Sequence, residues 1–337
     1  MPLFRIAVLS GRMMAQEVGQ CVLSRRDILL QAAALGLSAC IPARAAETGS
    51  ADELQKEIAL SFDDAPMADS RHMSGRARTD MLIAALDRAD ARGAMIFAVG
   101  GNVLKEGPER LHAYAEAGHT IANHTHTHPS SNRMSAEEFL SDVGRADEVL
   151  RSMPGYRPFF RFPYLDAGDT VEKRDALRAG LRRMGYRHGY ITADSRDWHI
   201  SGQVDAALAH GRNVDWDVVG RAYVDVIARS AAFYDGVARR WLGRPVRHVM
   251  LLHENDLAAL FIGDACVRLR DEGWRIIPAE RAFDDPIASR EPDTLYLSGG
   301  QVSALANEAG APVLSLQPGH TNMAALDALL APAIGAQ

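Results

Sequence analysis

Ile58-Ala59-Leu60-Ser61-Phe62-Asp63-Asp64 is a short apolar run that ends on two adjacent acids. A run of this length with polar residues on both sides reads as a buried strand. A helical pattern follows over 79–91, with Leu82, Ile83 and Leu86 on one face, and a second apolar run occupies 94–99. The order then recurs: helix 108–117, strand 120–122, a helix opened by the capping box Ser135-x-x-Glu138, strand 158–162 and helix 172–184. Strand 189–192, helix 217–242, strand 246–252, helix 258–271 and strand 274–277 complete the series. Repeated strand-then-helix units require parallel strands joined by helical crossovers. About seven units fit this length. The expected fold is therefore α/β, a (β/α) barrel that is distorted or incomplete, with a doubly wound open sheet as the competing arrangement.

In a parallel barrel the carboxyl ends of all strands open onto one face, where sites are built. The polar residues fall there: Asp63-Asp64, Asn123-His124, Arg161, the stretch 194–198 and His253. His124 and His128 stand four apart, a spacing that on a helical turn places two imidazoles on one side. His126 falls on another face. Two surface histidines near a turn are the competing reading. Strand alternation separates the neighbouring carboxylates Asp63 and Asp64, so that one can bind a cation while the other acts as a base. A His-His-Asp donor set with open positions suits Zn²⁺ or a related divalent ion in a hydrolytic role.

Composition sets outer bounds. With 47% hydrophobic and 24% charged residues, the 337-residue chain is neither collagen-like, disordered nor a disulfide scaffold. A net charge of −6 offers no broad basic surface, so nucleic acid is not an expected partner. No apolar run reaches the ~18 residues of a membrane span. Near the start, Ser24-Arg25-Arg26-Asp27-Ile28-Leu29-Leu30 precedes an apolar segment and resembles a twin-arginine export signal. A packed amphipathic helix is the alternative. Ala43-Arg44-Ala45 is a cleavage pattern, and Leu37-Ser38-Ala39-Cys40 resembles a lipobox that would anchor Cys40 to a membrane through lipid. Cleavage after Ala45 removes five arginines and two acids, leaves a net charge of −9 and keeps only Cys266. The expected protein is exported by the twin-arginine machinery, periplasmic or a membrane-anchored lipoprotein. Its organisation reads as signal 1–45, linker 46–57, barrel 58–285 with an insertion at 199–246, and an extension 286–337 of unknown role.

Five motifs occur in order: Ser61-Phe62-Asp63-Asp64, His124-Thr125-x-x-His128-Pro129, Arg161-Phe162-Pro163-Tyr164, Asp194-x-x-Asp197-Trp198 and Leu251-Leu252-His253. Together they resemble the polysaccharide deacetylases with a NodB-homology domain, over roughly residues 56–285. The resemblance implies that Asp64, His124 and His128 hold a divalent metal, Zn²⁺ above Co²⁺, Ni²⁺ or Mn²⁺. It implies that Asp63 takes a proton from water, that the Tyr164 N–H supports the oxyanion, and that His253 protonates the departing amine. Asp197 would orient His253 and raise its pKa, and Arg161 would pair with Asp63. Trp198 and Leu251 would contact the substrate, an N-acetylated glycan of an envelope or extracellular polysaccharide. A non-sugar amide or cyclic imide, an O-acetyl ester, or a non-catalytic glycan-binding relative are the alternatives.

Two departures stand out. Ala65-Pro66 replaces the glycine common after the acid pair, and Phe162 replaces a proline. The insertion, with Trp216, Tyr223, Phe233, Tyr234 and Trp241, is expected to roof part of the groove. Asp194 ranks below Asp197, Glu254 and Asp256 read as loop decoration, and His119 and His248 read as structural or surface residues.

Overall fold

A computed structural model describes residues 55–335 apart from 297. The export signal, Cys40 and most of the linker lie outside the described residues. Eight strands form one parallel sheet: β1 Lys56–Ala65, β2 Met95–Ala98, β3 Thr120–Asn123, β4 Tyr156–Phe160, β5 Arg187–His188, β6 Ala193–Asp194, β7 Arg247–His253 and β8 Trp274–Ile276. The order is β5-β4-β3-β2-β1-β7-β6, with β8 paired to the start of β1. The sheet curls into the distorted (β/α) barrel that the strand–helix alternation predicts. No helix among the described residues is long and apolar enough to cross a membrane.

Period-two alternation along β1 builds two layers. Ile58, Leu60 and Phe62 join Leu82, Leu86, Ile262 and Leu269 in the layer between strands and helices. Ala59 lies on the other side with Met95, Phe97, Ala122 and Val249. The helices Gly75–Arg88 and Trp216–Leu242 both pack on Asp256–Asp271. Ser135 and Glu138 form the capping box expected of them, opening the helix Ala136–Leu150.

The strand expected at 189–192 is instead split. β5 pairs β4 and β6 pairs β7, while the middle of the stretch leaves the ladder. Gly189 N–H donates to Phe160 O at 2.7 Å and Thr192 N–H donates to Val249 O at 3.0 Å, so this one stretch bridges both ends of the sheet. The extension fills the resulting notch. Gln301 N–H donates to Ile191 O at 2.7 Å. Gly300 lies so close that a Cβ would stand 2.3 Å from that same oxygen, and its φ is +80°. Only glycine fits there. Gly300→Ala is expected to cost about 2 kcal/mol, read as a lower urea midpoint with unchanged slope.

The helix Gly300–Glu308 packs on Trp216–Leu242, and Met323–Ile334 packs on Asp197–Ala209 and Trp216–Leu242. Val302, Leu305 and Leu316 share an apolar cluster with Ala59 and Val249 of the barrel. The extension is thus built into the barrel, and its strand-like run at 294–297 forms no strand over the described residues 294–296.

Candidate active site

Asp63 and His253 are register partners at the carboxyl ends of β1 and β7. Asp63 follows the alternation of its strand inward. Asp64 departs from it, because a left-handed φ of 70° swings its carboxylate back toward the same centre. Asp63 Oδ2 and Asp64 Oδ1 lie 3.6 and 3.5 Å from His124 Nε2, and Asp64 Oδ1 lies 3.0 Å from His128 Nε2.

His124 and His128 meet, though not by the helical spacing expected of them. Residues 124–128 form no helix, with a bend at 126–127, and Thr125 (φ 70°) and His128 (φ 56°) are left-handed. Local side chains impose that path: Thr125 N–H donates to Asn123 Oδ1 at 2.8 Å, and His128 N–H donates to Thr125 Oγ1 at 3.0 Å. Buried Asp142 accepts from the His126 and Thr127 N–H groups and from the Thr127 hydroxyl. The imidazole centroids end 5.0 Å apart. His126 stays outside the cavity lining, as expected.

Burial is the main reason the His124 pKa is lowered to about 4, so the ring is neutral at pH 7. Its Nδ1 donates to Arg161 O at 2.9 Å, which directs the Nε2 lone pair at Asp64. Burial opposes ionisation of Asp64, yet the neighbouring His128, His253 and His124 outweigh it and hold this carboxyl well below the usual range. Asp64 Oδ1 is buried without a hydrogen-bond partner. One carboxylate oxygen and two imidazole nitrogens, all within 4.8 Å of one another, therefore make a donor set that fits a divalent ion.

Arg161 is fully buried. Its Nη1 donates to Asp63 Oδ1 at 2.5 Å and to Ser61 Oγ at 2.9 Å, and its Nε donates to Gly189 O at 2.7 Å. The guanidinium stacks 3.8 Å from the Phe97 ring centroid. Opposite, His253 Nδ1 meets Asp197 Oδ1 at 2.8 Å, while Asp197 Oδ2 accepts from His253 N–H and Asn255 Nδ2. Asp197 is the first residue of the helix Asp197–Ala209, whose free N–H groups favour its negative charge. Burial pushes the His253 pKa down, but the Asp197 carboxylate, with Asp64 and Asp63, reverses this and raises it to about 10.

Tyr164 sits in a one-turn 3-10 helix with a left-handed φ of 57°. That position leaves its N–H without an intrahelical partner. Its exposed side chain adds a contact the sequence did not suggest: the hydroxyl lies 3.2 Å from His128 Nδ1. Trp198 and Leu251 line the cavity with the acids and histidines, and Asp194 joins them. Asp194 has its pKa raised by burial, and its Oδ1 accepts from Arg196 N–H at 2.9 Å.

Other expectations fail. None of the residues lining the cavity comes from 199–246, so the insertion does not roof it. Tyr223 and Tyr234 are core residues of the long helix. The wall on that side is made by Leu295, Tyr296, Ser298 and Met323 of the extension. Glu254 is no decoration either: it is fully buried, and its carboxylate takes Arg110 Nη2 at 2.6 Å, Tyr114 Oη at 2.9 Å, Thr79 Oγ1 at 3.1 Å and Met67 N–H at 2.7 Å. Asp256 pairs with buried Arg78 at 2.7 Å and with Ser70. No local signal marked these residues, because their partners come from 140 or more positions away.

A family model described as polysaccharide deacetylase matches residues 50–188. The chain is 30% identical over 169 residues to a chitooligosaccharide deacetylase of Rhizobium leguminosarum bv. trifolii, covering 49% of this chain and 70% of that one. It is 34% identical over 149 residues to chitin deacetylase 1 of Cryptococcus neoformans var. grubii, covering 42% of this chain and 29% of that protein. The chain spans 26% to 38% of the length of the first three curated relatives it matches. Among solved structures, a family 4 carbohydrate esterase from Streptomyces lividans in complex with acetate matches at 22% identity and a TM-score of 0.45, over 66% of this chain and 94% of that one.

Proposed function

The chain belongs to the polysaccharide deacetylase family, and on that premise we propose that it hydrolyses the N-acetyl amide of an envelope or extracellular glycan of chitin or peptidoglycan type. The observation that carries this reading is the meeting of an Asp-His-His donor set, a carboxylate held by a buried arginine, and a raised-pKa histidine in one cavity. Asp64, His124 and His128 would hold a divalent ion, Zn²⁺ first. Such an ion, when bound, supplies Lewis acidity and lowers the pKa of water toward ~7.

Asp63 Oδ1 is occupied by Arg161, which leaves Oδ2 to take the proton of the attacking water. The Tyr164 N–H is the donor offered to the developing oxyanion. His253 has Nδ1 committed to Asp197, so Nε2 delivers the proton without which an amine leaves poorly. Acetate and a free amino sugar result. The signal read at 24–30 supports a substrate outside the cytoplasm.

An acetate-release screen over N-acetylated and O-acetylated glycans tests this. The metal-loaded protein is expected to release acetate from N-acetylated oligosaccharides. Asp63→Asn should lower kcat by about 10²–10⁴ while leaving bound metal in place. A chelator should abolish turnover, and added Zn²⁺ should restore it. Release from O-acetyl esters alone, binding without release, or indifference to chelation would each overturn the reading.

A further inference from the structure

Eleven large hydrophobic side chains are exposed among the described residues, and four of them, Tyr164, Trp198, Leu295 and Met323, line the same cavity. Such a concentration around a catalytic centre marks a binding surface. Two of the four come from the extension, which the family match at 50–188 does not reach.

The extension is strapped down. Ahead of the wall, Arg174 Nη1 donates to Asp293 O at 2.7 Å, Arg178 Nη2 donates to Pro292 O at 2.8 Å, and Arg182 pairs with Glu291 at 2.5 Å. Behind it, Gln301 is fastened to Ile191 O and, through its side chain, to Ile287 O and Arg290 O. Residues 294–296 and 298 are therefore flanked on both sides by fastened residues beside the notch between β5 and β6. Leu295, Tyr296 and Ser298 line the cavity together with Tyr164 and Trp198.

We propose that Leu295, Tyr296 and Met323 form a fixed specificity wall, which turns the site into a pocket for a short N-acetylated oligosaccharide or the terminal sugar of a chain. The proposal rests on the deacetylase reading above. A cavity of about 820 Å³ has the size of sites that enclose a small molecule. A sugar ring offers an apolar C–H face to Leu295, Met323 and Trp198 and a hydroxyl edge to Asp166, Arg196 and Ser298. A long polymer needs a path open on both sides of the reacting acetamide, and the wall occupies one of them.

The test compares metal-loaded wild type with Leu295→Ser and Met323→Ser, both at exposed side chains, and with Leu314→Ser, which is 87% exposed and outside the cavity. Wild type is expected to show a kcat/KM per acetyl group about tenfold higher on di- to tetrasaccharides than on soluble polymer. Each wall variant should raise KM for the short substrates about fivefold with kcat within about twofold, and Leu314→Ser should change neither. Equal turnover of polymer and oligosaccharide, or wall variants indistinguishable from Leu314→Ser, would overturn the wall. If no glycan releases acetate, the deacetylase reading fails on its own. Calorimetric titration with the same oligosaccharides then decides the wall, with about fivefold weaker binding by the variants in its favour and unchanged or absent binding against it.

Discussion

Asp197→Asn is expected to lower kcat for acetate release by about 10²–10⁴ and to move the basic limb of the pH–rate profile toward lower pH. Burial alone would push the His253 pKa down, and the Asp197 carboxylate is the main influence that reverses it, to about 10. A general acid works only while protonated, so activity falls as pH rises through that pKa. With that charge removed, burial is opposed only by Asp64 and Asp63, and the pKa drops toward the ordinary ~6.5 of a histidine. Much of the enzyme then loses its proton at neutral pH. The amide of the variant still offers an oxygen to the His253 N–H and Asn255 that Asp197 now holds, so Tm should change little. A pH profile that loses height without shifting would show that Asp197 only positions the ring.

Glu254→Leu is expected to destabilise the protein by about 3–5 kcal/mol, because the Arg110 guanidinium is left buried without a counter-charge. Met67 N–H and the Tyr114 hydroxyl lose their acceptor in the same step. For a domain of this size the loss corresponds to a Tm drop of roughly 10 °C. Glu254→Leu combined with Arg110→Met should recover part of it, since removing both charges of a buried pair costs less than removing one. Equal losses in the single and double variants would show that packing, not the orphaned charge, is responsible. Activity should fall alongside, because Met67 stands three residues beyond Asp64 and Glu254 is adjacent to His253. The network thus clamps the base loop to the acid loop.

Short-range pattern carried the architecture. Strand-then-helix alternation implies parallel strands, and parallel strands imply a shared carboxyl-end face. Asp63, His124, Arg161, Asp197 and His253 could therefore be placed together although they lie up to 190 positions apart. What failed depended on backbone turns and on distant partners. The i,i+4 spacing suggested a helical turn for His124 and His128, whereas hydrogen bonds accepted by the Asn123 and Thr125 side chains bend the loop into left-handed residues instead. The alternation rule sent Asp64 away from Asp63, and one positive φ returned it.

The sequence by itself determined the barrel, the motif residues and the chemistry of their donor atoms, because strand periodicity and side-chain identity are local properties. Only the tertiary structure decided that Glu254 is a buried hub and that the extension, not the insertion, walls the site. Burial and the notch between β5 and β6 exist only once segments more than 100 residues apart have packed.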